Sequence, residues 1–166
     1  IFQRRHMDSL DLKILAALQE DARRRNIDLA QELGVAASTA LERVRRLEAQ
    51  GCFRGFNAVL APERLGFNVQ AMVTVALGEH TTEAILPFEQ RVREVSFIRA
   101  CYHVTGRFDY LLHVVAMDLD HLGRLVKEDI AALPGVGRTE THIVFSEIKS
   151  DKGLPVEEAL KNAPNS

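Results

Sequence analysis

Between Gly34 and Gly51 the chain reads GVAASTALERVRRLEAQG, and no other stretch restricts the fold as much. Leu41, Val44 and Leu47 recur every three residues, which predicts a helix with one buried stripe. The remaining surface is polar and basic: Ser38, Thr39, Glu42, Arg43, Arg45 and Arg46. Ser38 or Thr39 is placed to cap the helix, with Glu42 near enough for a capping arrangement. Gly34 can adopt positive φ and so ends the preceding element tightly, and Gly51 ends this one.

Two shorter helices are expected before it. Asp8 or Ser9 caps the first, with Leu10, Ile14, Leu15 and Leu18 at helical spacing and an end near Asp21. Asn26 or Asp28 caps the second, with Leu29, Ala30 and Leu33 inward and Val35 packing back after Gly34. Three helices in this order form a helix-turn-helix layout, whose last helix lies in the major groove of a DNA duplex. The residue types suit that task. Hydroxyls and helix N-termini contact phosphates, and arginine either holds phosphate or bonds a guanine edge in bidentate fashion. The candidate DNA contacts are therefore Ser38, Thr39, Glu42, Arg43, Arg45 and Arg46. Arg23, Arg24 and Arg25 form a second basic cluster that reads equally well as a solvated loop or a phosphate contact. Phe53, Phe56, Val59 and Leu60 are strand-like and Gly55 permits a bend, so a wing is expected here, with Arg54 available to phosphate. Pro62 opens a linker.

Composition supports this division. Net charge is −2 overall. Residues 1–60 hold ten Lys/Arg against eight Asp/Glu, and residues 61–166 hold eleven against fifteen. Only the first part has the sign that meets phosphate. Apolar residues make up 46 % of the chain, enough for a core, yet no run of about 18 apolar residues offers a membrane span. No secretory leader is visible. Cys52 and Cys101 lack metal-ligand spacing and read as reduced thiols of a cytoplasmic protein. Ile1 to His6 are read as a leader ahead of a natural start at Met7.

From Asn68 strands alternate with helices: a strand over Val69–Leu77, a helix over Thr81–Glu94 with Ile85, Phe88, Val92 and Val95 inward, and strands over Phe97–Val104 and Phe108–Ala116. Pro87 marks either the first turn of that helix or a kink. Asp118 caps a helix whose Leu119, Leu122, Val126 and Ile130 face inward. LPGV ends it, and Arg138–Ile148 is the last strand, with Thr139, Thr141, Ile143 and Phe145 on one face. The order is β-α-β-β-α-β, a ferredoxin-like sheet with both helices on one face. Its other, apolar face needs a partner, which predicts a homodimer with two recognition helices about 34 Å apart on an operator. The expected class is α+β. A helix-turn-helix domain spans 7–52, a wing and linker strand 53–67, the ferredoxin-like domain 68–150, and a tail without readable motif 151–166, with a short helix at Val156–Leu160 and a frayed end from Asn162 to Ser166.

The segments LDLKILAALQEDAR, ALERVRRLEAQG, VTGRFDYLLHV and LPGVGRTETHIV together resemble the Lrp/AsnC, or feast/famine, family of transcription regulators. The resemblance runs from Met7 to about Lys149. It implies a winged helix-turn-helix joined to an effector domain, dimers that assemble further, and a response to an amino acid held between subunits. The implied effector site lies near Gly106 to Tyr110 and Thr139 to Val144, which makes Gly106, Arg107, Asp109, Tyr110, Thr141, His142 and Val144 the candidate contacts. The residue chemistry is compatible. Gly106 lets backbone N–H groups approach a carboxylate, and Asp109 accepts from an ammonium. Asp109 reads equally as a turn aspartate bonding its own backbone. Arg107 stands where some relatives carry an acidic residue, so their effectors are not carried over.

No cofactor, metal site or catalytic residue is expected. No nucleophile–base pair, phosphate loop or metal cluster is present. Two other readings share the architecture. One is a sirohaem-decarboxylase-like enzyme using His80, His103, His113, His121 and His142, which lack any cofactor spacing and leave the arginines of the third helix without a task. The other is an amino-acid sensor that does not bind DNA.

Overall fold

The computed structural model describes residues 7–79 and 81–161. The leader reading at Ile1 to His6, His80 and the terminal Asn162 to Ser166 lie outside the described residues. The chain forms two compact units: residues up to Ala58 together with those from Lys149 onward, and Val59–Ile148.

The first unit holds helices α1 (Ser9–Glu20), α2 (Asn26–Leu33) and α3 (Ala37–Ala49). Ile14, Leu18, Leu29, Val44 and Leu47 form its core. Asp8 caps α1 through a reciprocal box with Asp11: the Asp11 amide donates to Asp8 at 2.9 Å and the Asp8 amide to Asp11 at 3.3 Å. Gly34 ends α2 at φ 67°, and the Val35 amide donates back to the Ala30 carbonyl at 3.0 Å. That pins the turn into α3.

Several local expectations are corrected. Neither Asn26 nor Asp28 caps α2. Arg25 stands at its N-cap with no side-chain bond. Ser38, Thr39 and Glu42 do not cap α3, which begins one residue earlier behind Ala36, also without a side-chain cap. Its buried stripe is Ala40, Val44 and Leu47, with Leu41 only half-buried. The stripe follows i, i+4, i+7, closer to 3.6 residues per turn than a strict three-residue repeat. No wing strand forms between Phe53 and Leu60. Phe53 and Phe56 instead pack ring to ring at 5.0 Å, while Val59 and Leu60 remain exposed.

Asp11 decides how α3 is held. Its side chain is 2 % exposed. The Arg43 guanidinium reaches it at 3.0 Å and also pairs with Asp8, and Arg46 donates to both Asp11 oxygens at 2.6 Å. Two arginines of α3 are thus clamped on the first turn of α1.

The C-terminal segment returns to the same unit. The Gln19 amide makes a reciprocal pair with the Leu154 backbone, donating to its carbonyl at 2.7 Å and accepting from its amide at 2.8 Å. The short helix α6 (Val156–Lys161) packs on α1. Gly153, at φ 96°, lies so close to Gln19 that a Cβ there would stand 2.4 Å from the Gln19 side chain.

The second unit is the expected α+β sandwich. Strands β1 (Val69–Leu77), β2 (Ile98–His103), β3 (Tyr110–Ala116) and β4 (Val136–Ile143) form one antiparallel sheet in the order β2-β3-β1-β4. Helix α4 (Thr82–Val92) and helix α5 (Leu119–Arg124), prolonged by a π-helical turn over Leu125–Ile130, bury their apolar sides against it. Pro87 is neither at the first turn nor buried. It sits mid-helix and exposed, where its missing N–H removes one helical hydrogen bond. Asp118 caps α5, donated to by the His121 amide at 2.7 Å. Leu119, expected inward, is exposed at the first position of α5, while Leu122, Leu125 and Ile130 are buried. β4 stops at Ile143, so Phe145 and Ile148 stand out in solvent. The face of the sheet without helices is mixed. Met72, Leu111 and Tyr102 alternate there with Gln70, Thr74, His113, Glu140 and His142.

Three outcomes test the clamp and the returning segment. Asp11→Ala should cost about 2–3 kcal/mol, below a fully buried pair because both guanidinium groups reach water; a urea melt of the first unit measures it. Burial alone would raise the Asp8 carboxyl, but the Arg43 bond, the Asp11 amide and the charges of Arg43 and Arg46 hold it below the ordinary carboxylate range. A depressed folded pKa stabilises above the unfolded value and is lost as pH falls through the folded one. The first unit should therefore weaken below roughly pH 4, and an Asp8→Asn variant with an unflattened acid limb would refute the clamp. Gly153→Ala should release the Leu154 amide to fast hydrogen exchange, as should Gln19→Ala; protection retained in both would show that the pairing contributes nothing.

Candidate DNA-reading surface and effector residues

The outward face of α3 is set by what the inward face and the clamp use up. Ala40, Val44 and Leu47 are buried. Arg43 and Arg46 point their guanidinium groups at Asp8 and Asp11. Ser38, Glu42 and Arg45 face solvent, Thr39 is half-buried beside them, and the Arg46 side chain stays 44 % exposed despite its pairing. Arg45 makes no ion pair among the described residues. The first amides of α3 have no side-chain acceptor, so the positive end of a helix 13 residues long is open to an anion. The six candidate contacts therefore divide into four that are displayed and two that are tied down. Local sequence does not reveal this division, because its source, Asp11, lies 32 residues from Arg43 and looks like an ordinary first-turn acid.

The second basic cluster is largely neutralised. Arg24 pairs with Glu32 and lies 3.9 Å from Glu20, and Arg25 bonds both oxygens of Asp28 at 2.7 Å. Arg23 is exposed. Arg54 is exposed on the irregular segment that replaces the expected wing.

The effector residues are not brought together within one chain. Gly106, at φ 124°, and Arg107 are exposed on the β2–β3 loop, with Arg107 5.1 Å above the Phe108 ring. Asp109 has a structural task. Its carboxylate accepts from the Leu77 amide at 2.7 Å, while its own amide donates to the Val75 carbonyl at 2.9 Å. Tyr110 is 2 % exposed and belongs to the core. It lies 4.5 Å from Phe88 and donates to Glu89 at 3.0 Å. Burial first, then that bond, pushes its hydroxyl up to about 12. Thr141 and His142 lie on opposite faces of β4, beside Val73 and Met72, and the Val144 amide donates to the Gln70 carbonyl. Asp109 and Val144 thus bond β1 at points five residues apart, about 16 Å along a strand.

The structure also brings Glu89, Arg93 and Arg99, which the sequence did not single out, beside residues that it did. Between α4 and β2 lies a groove of about 390 Å³ lined by Glu89, Val92, Arg93, Ile98, Arg99, Ala100, Cys101, His103 and Tyr110. Glu89 and Arg93 carry no sequence signal because charges one turn apart normally mark a solvated helix face.

Comparison with known proteins places the two units. Residues 7–48 match the AsnC-type helix-turn-helix domain, and residues 70–154 match the Lrp/AsnC ligand binding domain. The chain is 35 % identical over 150 residues to the leucine-responsive regulatory protein of Escherichia coli K12, covering 90 % of this chain and 92 % of that one. The same identity and coverage hold for the Klebsiella pneumoniae protein of that name. The fold is similar to a Neisseria meningitidis transcriptional regulator complexed with L-Met, at 30 % identity and TM-score 0.88 over 92 % of this chain and 99 % of that one. It is also similar to a Mycobacterium tuberculosis feast or famine regulatory protein complexed with L-methionine, at 27 % identity and TM-score 0.81 over 89 % and 97 %. With its recognition helix, its sheet order and both domain matches in agreement, the chain belongs to the Lrp/AsnC family of helix-turn-helix transcription regulators.

Proposed function

We propose that this chain reads duplex DNA with Ser38, Thr39, Glu42 and Arg45, and that Arg43 and Arg46 hold the reading helix in place. The observation that carries this is the outer face of α3, which pairs an open helix N-terminus with an arginine that makes no ion pair among the described residues. Arg54 adds a phosphate contact from outside the helix. A homodimer in the cytoplasm, joined through the sheet face that lacks helices, supplies two such helices to an operator. The transcription-regulator role is not enzymatic.

The regulator responds to an amino acid. Two similar regulators were crystallised with methionine, which supports this class of effector. Because Gly106–Asp109 and Thr141–Val144 meet β1 well apart within one chain, their joint use requires residues of another subunit. Gly106 and Arg107 receive the carboxylate, His142 and Val144 line the side chain, and Thr141 supports them from the opposite face of β4. Tyr110 supports the loop from the core. Asp109 holds the loop to β1, and its charge faces the ammonium. An effector that prefers one assembly of subunits changes the spacing of the recognition helices and with it DNA affinity.

Footprinting on the chain's own upstream region tests the DNA reading, and absence of any protected sequence would end it. Arg45→Ala should weaken binding and lower the salt slope by about one unit. Asp11→Ala should weaken it through a loosened helix without lowering the slope, since Arg43 and Arg46 keep their charges. Asp109→Asn keeps an acceptor for the Leu77 amide and removes the charge. It should abolish the amino-acid response while leaving thermal stability within about 1 kcal/mol, and a normal response would misplace the site.

A further inference from the structure

The helix-free face of the sheet carries a titratable ring on a central strand. His113 of β3 is half-buried there, with Ala100 of β2 on one side and Met72 of β1 on the other. Its Nε2 pairs with Gln70 Oε1 at 3.0 Å, so Nε2 carries the ring hydrogen and Nδ1 is the atom that takes a second proton. The pairing of β2 with β3 slips between Ile98 and Ala100, and the charge of Arg99, at that slip, reaches His113. Glu147, on the segment after β4, acts on the same ring with the opposite sign. On this face β1 contributes Gln70, Met72 and Thr74, none of them ionisable. Beyond them β4 contributes Arg138, Glu140 and His142, and Arg138 pairs with Glu140 at 2.6 Å. Tyr102 of β2 and Leu111 of β3 lie opposite each other on the same side. Burial first, then the Arg99 charge, holds the His113 imidazole below its ordinary value against the pull of Glu147.

We propose that His113 makes the joining of two copies through this face depend on pH: with the ring neutral the copies hold together, and protonation of both rings parts them. The inference rests on the homodimer reading above and adds a control to it. A second copy is the occupant that fits. Met72, Leu111 and Tyr102 supply apolar area, and the charged groups come in both signs, Arg99 and Arg138 against Glu140 and Glu147. A face that meets its own copy must be close to neutral, because any excess charge meets itself. One proton on each His113 breaks that balance, and each new cation lies within reach of Arg99. Desolvation acts in the same direction. A copy laid over the half-buried ring removes more water from it, and a desolvated imidazole resists protonation. The dimer therefore prefers the neutral ring more strongly than the free chain does. A group depressed by association contributes fully above its free value, and the contribution is lost as pH falls from there towards the bound value. The free value lies below the ordinary 6.5, so association is at full strength at neutral pH and weakens in the acid range beneath it. The acid loss of the Asp8 clamp sits lower, below roughly pH 4. A separated copy offers one recognition helix instead of two, so acid loosens the hold on an operator as well.

The test uses the full chain, one population carrying a donor dye on Cys52 and another an acceptor. Cys52 is exposed, whereas burial and the Glu89 charge push the Cys101 thiol up to about 11, so the dye goes to Cys52. Sedimentation gives the assembly state, and energy transfer after mixing gives the rate at which copies exchange. Exchange should be about tenfold faster at about pH 5 than at about pH 8. His113→Gln should flatten this dependence, while His142→Gln, on the same face, should keep it. Arg99→Gln and Glu147→Gln are exposed changes that should move the midpoint in opposite directions: up when the repelling cation is removed, down when the attracting anion is removed. A dimer that exchanges equally fast across the range overturns the proposal and leaves the homodimer reading standing. So does a pH dependence that survives His113→Gln, or a midpoint that both charge variants leave unmoved. A chain that is monomeric even at about pH 8 ends the homodimer reading and this proposal with it.

Discussion

A carboxylate with 2 % of its side chain exposed, held by two arginines from another helix, fixes the geometry on which DNA reading depends. Burying Asp11 costs several kcal/mol of solvation, and hydrogen bonds from Arg43 and Arg46 offset it only in one relative setting of α1 and α3. An apolar contact tolerates sliding, but this one does not. The clamp contributes to specificity of arrangement more than to raw stability. It also ties two of the three arginines of α3 to α1 and leaves Arg45 without an ion pair among the described residues.

The elements that were legible in the sequence are those with a strong local signature. Gly34 predicted the turn and takes positive φ there. The apolar β-branched run from Val69 to Leu77 is strand β1 to the residue, and Asp118 caps α5 as expected. Misreadings occurred where tertiary context overrides local preference. Phe53 to Leu60 has strand composition but no neighbouring strand to complete a ladder, so it stays irregular. A helix that begins at Ala37 has no use for Ser38 as its cap. At Arg43 and Arg46 the sequence alone does not distinguish a displayed arginine from a clamped one, because that distinction depends on an acid more than thirty residues away.

Asp109 shows the same ambiguity at the other end of the molecule. A turn aspartate and a ligand-binding aspartate look alike in sequence, and here the backbone bond to Leu77 is present whatever else the residue does. Tyr110 moves further still, from the loop into the core, where its hydroxyl orients Glu89. The loop motif and the α4–β2 groove are therefore mechanically joined through one residue.

The contact between Gln19 and Leu154 spans 135 residues of sequence. A protein emerging from the ribosome makes α1, α2 and α3 within its first fifty residues, yet the surface of α1 that receives α6 must wait for almost the whole chain. Closing so long a loop is slow relative to local helix formation. During synthesis the reading head is present but unlatched, and the sheet that separates its two halves in sequence has every strand available before the latch can close. The last act of folding is then the one that completes the DNA-reading unit, so a nascent or C-terminally clipped chain carries recognition helices without their finished support.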